Sequence, residues 1–227
     1  MHRFFTPLLR RVYFFLIAFL AVYFAFFAVQ YSRWNKERLF RKLVSGDNRQ
    51  KLSAAFDLVW LNGEEQLLRA LKSASRTSRQ VALDSLWNLW LQAAGKEAYR
   101  LAQRANLQME RKDYDEALAT LNGVVKKYPE FAEGWNRRAV LYWQMGKYEE
   151  SIGDCKRVVA LNPNHYGAWQ GMGLCQLHLG RLESACHSLR MALKINPHDR
   201  GLQEFLFQCE ELLRKLSPEP STRLQVV

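Results

Sequence analysis

Apolar positions along this chain fall into two regimes. From Val12 to Val29 they run for eighteen residues without a charge or a strong polar group. From Val44 to Lys215 they recur at every third or fourth position, the period of helices that bury one face. The pattern predicts an all-α protein in which a membrane-spanning helix over residues 12–31 precedes a string of amphipathic helices.

The later helices repeat themselves. Trp135 returns as Trp169, Gly146-Lys147 as Gly180-Arg181, and Asn162-Pro163 as Asn196-Pro197, each thirty-four positions on. A fixed period of this size marks stacked helical hairpins, none of which buries its apolar face alone. Trp135, Ala139 and Tyr142 form the stripe of a first helix. Ser151, Cys155 and Val158 form that of a second, and small Ala139 and Ser151 let the two approach closely. Pro163 ends the unit because it cannot donate the next helical hydrogen bond. The next unit repeats these roles with Trp169, Gly173, Gln176, Ala185, Leu189, Ala192 and Pro197. One period upstream, Leu101, Ala105, Ala117, Leu121, Val124 and Pro129 make a looser copy, in which Arg104 and Gln108 depart from the pattern.

These spacings resemble the tetratricopeptide repeat. The resemblance implies an α-solenoid, right-handed in that family, with repeats at 98–131, 132–165 and 166–199. Residues 200–216, with Leu202, Phe205, Leu206 and Cys209 at helical spacing, then supply a capping helix, and a disordered tail fills 217–227. Ahead of the repeats, residues 44–97 carry three helical stripes separated by turns at Ser45-Gly46-Asp47, Asn62-Gly63 and Ser73 to Ser78. Their spacing resembles HEAT-type repeats, and a plain helical spacer capping the stack fits them nearly as well.

Charge adds an orientation. Residues 1–42 hold eight Lys or Arg and one Glu, a net +7 of the chain's +11, so most of the excess flanks the apolar run instead of the repeats. The run nearly covers a hydrocarbon core of roughly 30 Å, and Tyr13, Tyr31 and Trp34 sit near its ends like interfacial anchors. Arg10-Arg11 before it also suit a cleavable signal peptide. The length of the run, its Phe- and Tyr-rich tail and the lack of a small-x-small site before Gln30 favour an uncleaved anchor. The N-terminal stretch 1–11 holds Arg3, Arg10 and Arg11; the juxtamembrane stretch 32–43 holds Arg33, Lys36, Arg38, Arg41 and Lys42. The larger cluster places the repeats on the cytoplasmic side, stromal in a plastid, and can rest on anionic head groups without any nucleic acid.

Catalytic chemistry is not expected. Cys155, Cys175, Cys186 and Cys209 form no CxxC pair, and the five histidines are scattered, so neither a metal nor a cofactor is predicted and free structural thiols are expected. A Cys175–Cys186 disulfide across one hairpin is the alternative, disfavoured on a reducing side. Gly167, Gly171 and Gly173 do not follow a strand and so do not make a phosphate loop. Gly171 still lowers helix propensity by about 1 kcal/mol relative to Ala, which suggests the close approach of a ligand or neighbour.

The expected working surface is the concave face made by the first helices. In register, the protein-binding groove presents Gln103, Asn106 and Met109 from the first unit. The second contributes Asn136, Arg137, Val140 and Trp143, and the third Gln170, Leu174 and His178. Amides that donate and accept, beside a large apolar Trp143, suit an extended peptide or a partner helix. Co-chaperones of this family hold a chaperone's carboxyl end in a Lys and Asn clamp. Asn106 and Asn136 echo it, but Ala102, Gly167 and Gly171 stand where its basic residues would be, which argues against that ligand and leaves peptide binding open.

The block from Phe131 to Ala139, with Leu161 to His165 and Gly171 to Cys175, also resembles membrane-anchored repeat proteins of plastids and proteobacteria. That resemblance implies a single-pass protein of a plastid or thylakoid membrane, or alternatively of a bacterial inner membrane. Its expected role is a non-enzymatic adaptor or assembly factor for a membrane complex, photosynthetic if plastid, acting on a protein client. The rival expectation is RNA binding of the pentatricopeptide type. The period of thirty-four, the Trp, Ala, Tyr and Pro positions, and the charge lying outside the repeats oppose it, so no specific nucleic acid is expected.

Overall fold

The computed structural model describes residues 2–216; the tail expected to be disordered from Ser217 lies outside them. Among the described residues there are eleven helices and no strand. The first, α1 (His2–Ser45), is continuous for 44 residues, so residues 32–43 lie near the C-terminal end of the helix that carries the apolar run. Its apolar part is long enough to cross a membrane and is covered by no other element.

Beyond the run, α1 becomes part of the folded domain. Leu39 and Leu43 are buried among Leu58, Leu67 and Leu86 of α2 (Asn48–Trp60), α3 (Glu64–Ala70) and α4 (Arg76–Gln92). Polar ties reinforce this packing. Arg69 Nη1 pairs with Glu37 Oε1 at 2.5 Å, Lys36 Nζ donates to the Asn62 carbonyl at 3.3 Å, and Ser78 Oγ donates to that of Val44 at 3.2 Å. Capping is local: Asp47 and Gln50 form a reciprocal capping box that starts α2, satisfying amides that the first turn leaves free.

Three hairpins follow, α5 (Gly95–Glu110) with α6 (Tyr114–Lys127), α7 (Ala132–Gln144) with α8 (Tyr148–Leu161), and α9 (Tyr166–His178) with α10 (Leu182–Ile195); α11 (Arg200–Leu216) packs on α10. The period reappears in three-dimensional detail. Trp135 Nε1 donates to the Pro129 carbonyl at 2.9 Å and Trp169 Nε1 to that of Pro163 at 3.0 Å; in α11, Gln203 Nε2 takes the same place on the Pro197 carbonyl at 2.7 Å. Each hairpin turn needs a left-handed residue. Gly146 and Gly180 supply it at φ 70° and 69°, while the first hairpin uses Lys112 at φ 63°, a conformation disfavoured for a residue with a Cβ.

Close approach within hairpins depends on small residues, as the sequence suggested. Ser151 Oγ donates to the Ala139 carbonyl at 2.8 Å, and a Cβ on Gly173 would come within 2.9 Å of Leu189. The expectation of four free thiols holds for Cys155 and Cys175, both buried, and fails for Cys186 and Cys209, which form a disulfide with Cα atoms 6.1 Å apart. The alternative Cys175–Cys186 pairing fails with it: Cys186 turns away from its own hairpin toward the closing helix α11.

Candidate functional site: a groove between the second and third hairpins

First helices touch one another, α5 with α7 and α7 with α9, and no comparable contact joins α6 to α8 or α8 to α10. The stack therefore curves with α5, α7 and α9 on its inner side, the face expected to bind.

The ten residues expected there divide into two groups. Asn136, Val140, Trp143, Gln170 and Leu174 come together around a cavity of about 250 Å³ between α7 and α9, whose floor is Ala139, Ser151 and Cys155. Val140 and Trp143 stand at its mouth, 40% and 41% exposed. The other five lie elsewhere. Gln103, Asn106 and Arg137 form a chain of side-chain contacts, Gln103 Oε1 accepting from Asn106 Nδ2 at 3.5 Å and Asn106 Oδ1 from Arg137 Nη1 at 3.4 Å. Met109 is buried against Ala105, Ala117, Leu121 and Leu141. His178 stacks on Tyr148 with ring centroids 4.6 Å apart.

Asn136 is buried as well, because it belongs to a polar cluster under the groove. Glu133, wholly buried, accepts from Asn136 Nδ2 at 3.1 Å, lies 2.7 Å from Arg137 Nη2, and meets His165 Nε2 at 3.0 Å. His165 is itself wholly buried, and its Nδ1 accepts the Ala168 N–H at 3.1 Å as the cap of α9. With Nδ1 accepting, Nε2 carries the proton and donates it to Glu133. A buried carboxylate with three partners is a tie between repeats that is costly to break from either side.

The surprise is α4. Its Trp90 ring stacks on His165 at 4.5 Å, and Trp87 packs edge-on to His165 at 5.2 Å and donates Nε1–H to Tyr166 Oη at 2.7 Å. Trp90 Nε1 also donates to Glu64 Oε1 at 2.7 Å, which accepts from Asn162 Nδ2 at 3.2 Å. The N-terminal helices are thus fastened to the start of the third hairpin, and Trp87 closes one end of the cavity. Thirty-four-residue steps show what makes room for it: Tyr99, then Glu133, then Gly167, where a Cβ would meet the Trp87 ring at 2.7 Å. That loss of a side chain was the available signal; without the fold, nothing tied it to Trp87.

Electrostatically the cavity is quiet. No charged side chain lines it. Burial pushes the Cys155 thiol up to about 12, so it stays protonated at neutral pH. Ser151 is engaged with the Ala139 carbonyl and accepts from Cys175 Sγ at 3.3 Å. Among the described residues no cluster of His, Cys, Asp or Glu could hold a metal ion. The arrangement offers apolar contact and amide hydrogen bonding.

Family models described as tetratricopeptide repeat match residues 101–130, 132–165 and 166–199. Solved structures share the fold. The first TPR domain of Spaghetti (RPAP3), bound to the HSP90 peptide SRMEEVD, is 24% identical with a TM-score of 0.50, covering 52% of this chain and 93% of that one. The first TPR domain of the human RPAP3 protein gives the same values. The Sgt2 TPR domain from Aspergillus fumigatus is 18% identical at TM-score 0.50, covering 54% of this chain and 85% of that one. No curated protein matches the chain.

Proposed function

Residues 101–199 belong to the tetratricopeptide-repeat family, and from that premise we propose that the protein is a non-enzymatic, membrane-anchored adaptor that binds a partner protein through its concave groove. The observation that carries this is the cavity between α7 and α9, where exposed Val140 and Trp143 stand over an uncharged hollow beside the free amide edge of Gln170. Exposed aromatics beside a hollow are the usual anchors of protein recognition. A fold relative is bound to an HSP90 peptide, which is in keeping with a peptide ligand, although Ala102, Gly167 and Gly171 leave this chain without the basic clamp for a terminal carboxylate.

The anchor in this reading is α1, whose exposed apolar length suits one crossing. The basic cluster after it supports the cytoplasmic or stromal side for the repeats. Adaptors held this way keep a client against the bilayer, and assembly of a membrane complex, in a plastid or a bacterial inner membrane, is the role that suits the architecture. The Cys186–Cys209 disulfide opposes the cytoplasmic or stromal side, because disulfides persist in oxidising compartments; if the bond is intact in native membranes, the repeats face the oxidising side instead.

Photo-crosslinking tests the groove. A photoreactive residue at Gln170 should give a discrete product in native membranes, and one at Lys156, on the outer helix α8, should not. Equal products from both positions would remove the groove from the account.

A further inference from the structure

Three glycines occur within seven residues of α9, and the fold accounts for two of them. Gly167 admits the Trp87 ring, and Gly173 admits Leu189, each where a Cβ would come closer than 3 Å. Gly171 has no such reason: a Cβ there would meet only Cys155 Sγ, at an ordinary 3.5 Å. Yet the equivalent positions in the two preceding repeats carry the long side chains of Gln103 and Arg137. A mid-helix glycine weakens a helix relative to alanine, and no neighbour fills the space that this one leaves open.

That space is the cavity. At about 250 Å³ it falls below the roughly 300–1,000 Å³ of pockets that enclose a whole small molecule, so it suits a projecting part of something larger. Its walls are Trp87, Val140, Trp143 and Leu174, and no charged side chain lines it. Arg137, next to the lining residue Asn136, is paired with buried Glu133. An acidic terminus would find no counter-charge here and would lose its hydration, whereas an apolar side chain would shed water at no such penalty.

We propose that the hollow left by Gly171 is a specificity pocket that takes one large apolar side chain, Leu, Ile, Met or Phe, from an internal segment of the partner polypeptide. This rests on the groove reading above and gives it a ligand class: apolar-anchored peptides in place of acidic carboxyl termini. Trp87 sets the depth of the pocket from outside the repeats, and Gln170 at the rim is placed to bond the peptide backbone.

The test is selection of a phage-displayed random dodecapeptide library on the full-length chain in lipid nanodiscs, followed by synthetic copies of the enriched peptides. The selected peptides should share one large apolar residue, whose replacement by Ser weakens binding by about tenfold or more, the scale of burying one such side chain. Gly171→Leu, which fills the hollow, should weaken them to a similar degree. Val140→Asp, a charge placed on the wall from an exposed position, gives the same reading if Gly171→Leu loses its helical circular dichroism. Peptides that bind wild type and both variants within about twofold of one another overturn the pocket. If such peptides are still lost on Trp143→Ala, the groove reading stands without it; if they are indifferent to that change too, or if no peptide is enriched, both fall.

Discussion

The ring carbon Cη2 of Trp87 lies 2.7 Å from where a Cβ on Gly167 would sit, so a residue of α4 and a residue of α9 each require the other's shape. Gly167→Ala should therefore destabilise the protein by about 1–3 kcal/mol through overpacking, despite alanine's better helix propensity. With Trp87→Ala already present, the same Gly167→Ala change should be neutral or stabilising. A double-mutant cycle read by urea denaturation checks the reversal of sign.

Glu133, wholly buried, holds buried His165 and Asn136 and the partly exposed Arg137 together. Glu133→Ala should remove about 3–5 kcal/mol, because it strands partners of a buried charge. Glu133→Gln should lose less, since an amide oxygen can still accept from His165 Nε2. Equal losses for the two variants, measured by the same denaturation, would show that the hydrogen bonding contributes nothing.

The first repeat should be improvable. Lys112 occupies a left-handed turn that its successors fill with Gly146 and Gly180. Lys112→Gly is expected to raise stability by about 1 kcal/mol, the scale of a Cβ in that conformation. The midpoint of thermal unfolding should rise accordingly.

Cys155 predicts the alkaline limit. Its folded-state pKa is raised from 9.0 to about 12, chiefly by burial, so below pH 9 the thiol is protonated whether the chain is folded or not. As pH rises from 9 toward 12 only the unfolded chain ionises, and stability falls through that window. Tyr166, also raised by burial, adds to the same fall above its ordinary value of 10. Cys155→Ala should flatten the decline between pH 9 and 10, as followed by urea midpoints across that range.

What could be read from sequence was whatever the period carries. Trp135 and Trp169 bond the Pro129 and Pro163 carbonyls in the same way because local spacing sets both contacts, and Ala139 against Ser151 is likewise a contact within one hairpin. Trp87 with Tyr166 joins positions 79 apart in different architectures, and no periodicity predicts it. Two Trp three residues apart on α4 read as the packing of that segment alone. Glu133 is buried because His165, the cap of the next hairpin, folds onto it, a contact between hairpins that spacing within one repeat does not show. Cys209 paired with Cys186 for a similar reason, since the contact belongs to the closing helix and not to the repeat.

Binding of a partner in the groove between α7 and α9 is what an adaptor of this design requires. Its most direct test is a crosslinking capture from native membranes comparing wild type with the Trp143→Ala, Gln170→Ala double variant, whose substitutions leave the buried Glu133 cluster intact. With helical circular dichroism unchanged, a partner held by wild type should be lost from the variant. Recovery of the same partner in the same amount from both would contradict the account and move the binding surface away from the groove.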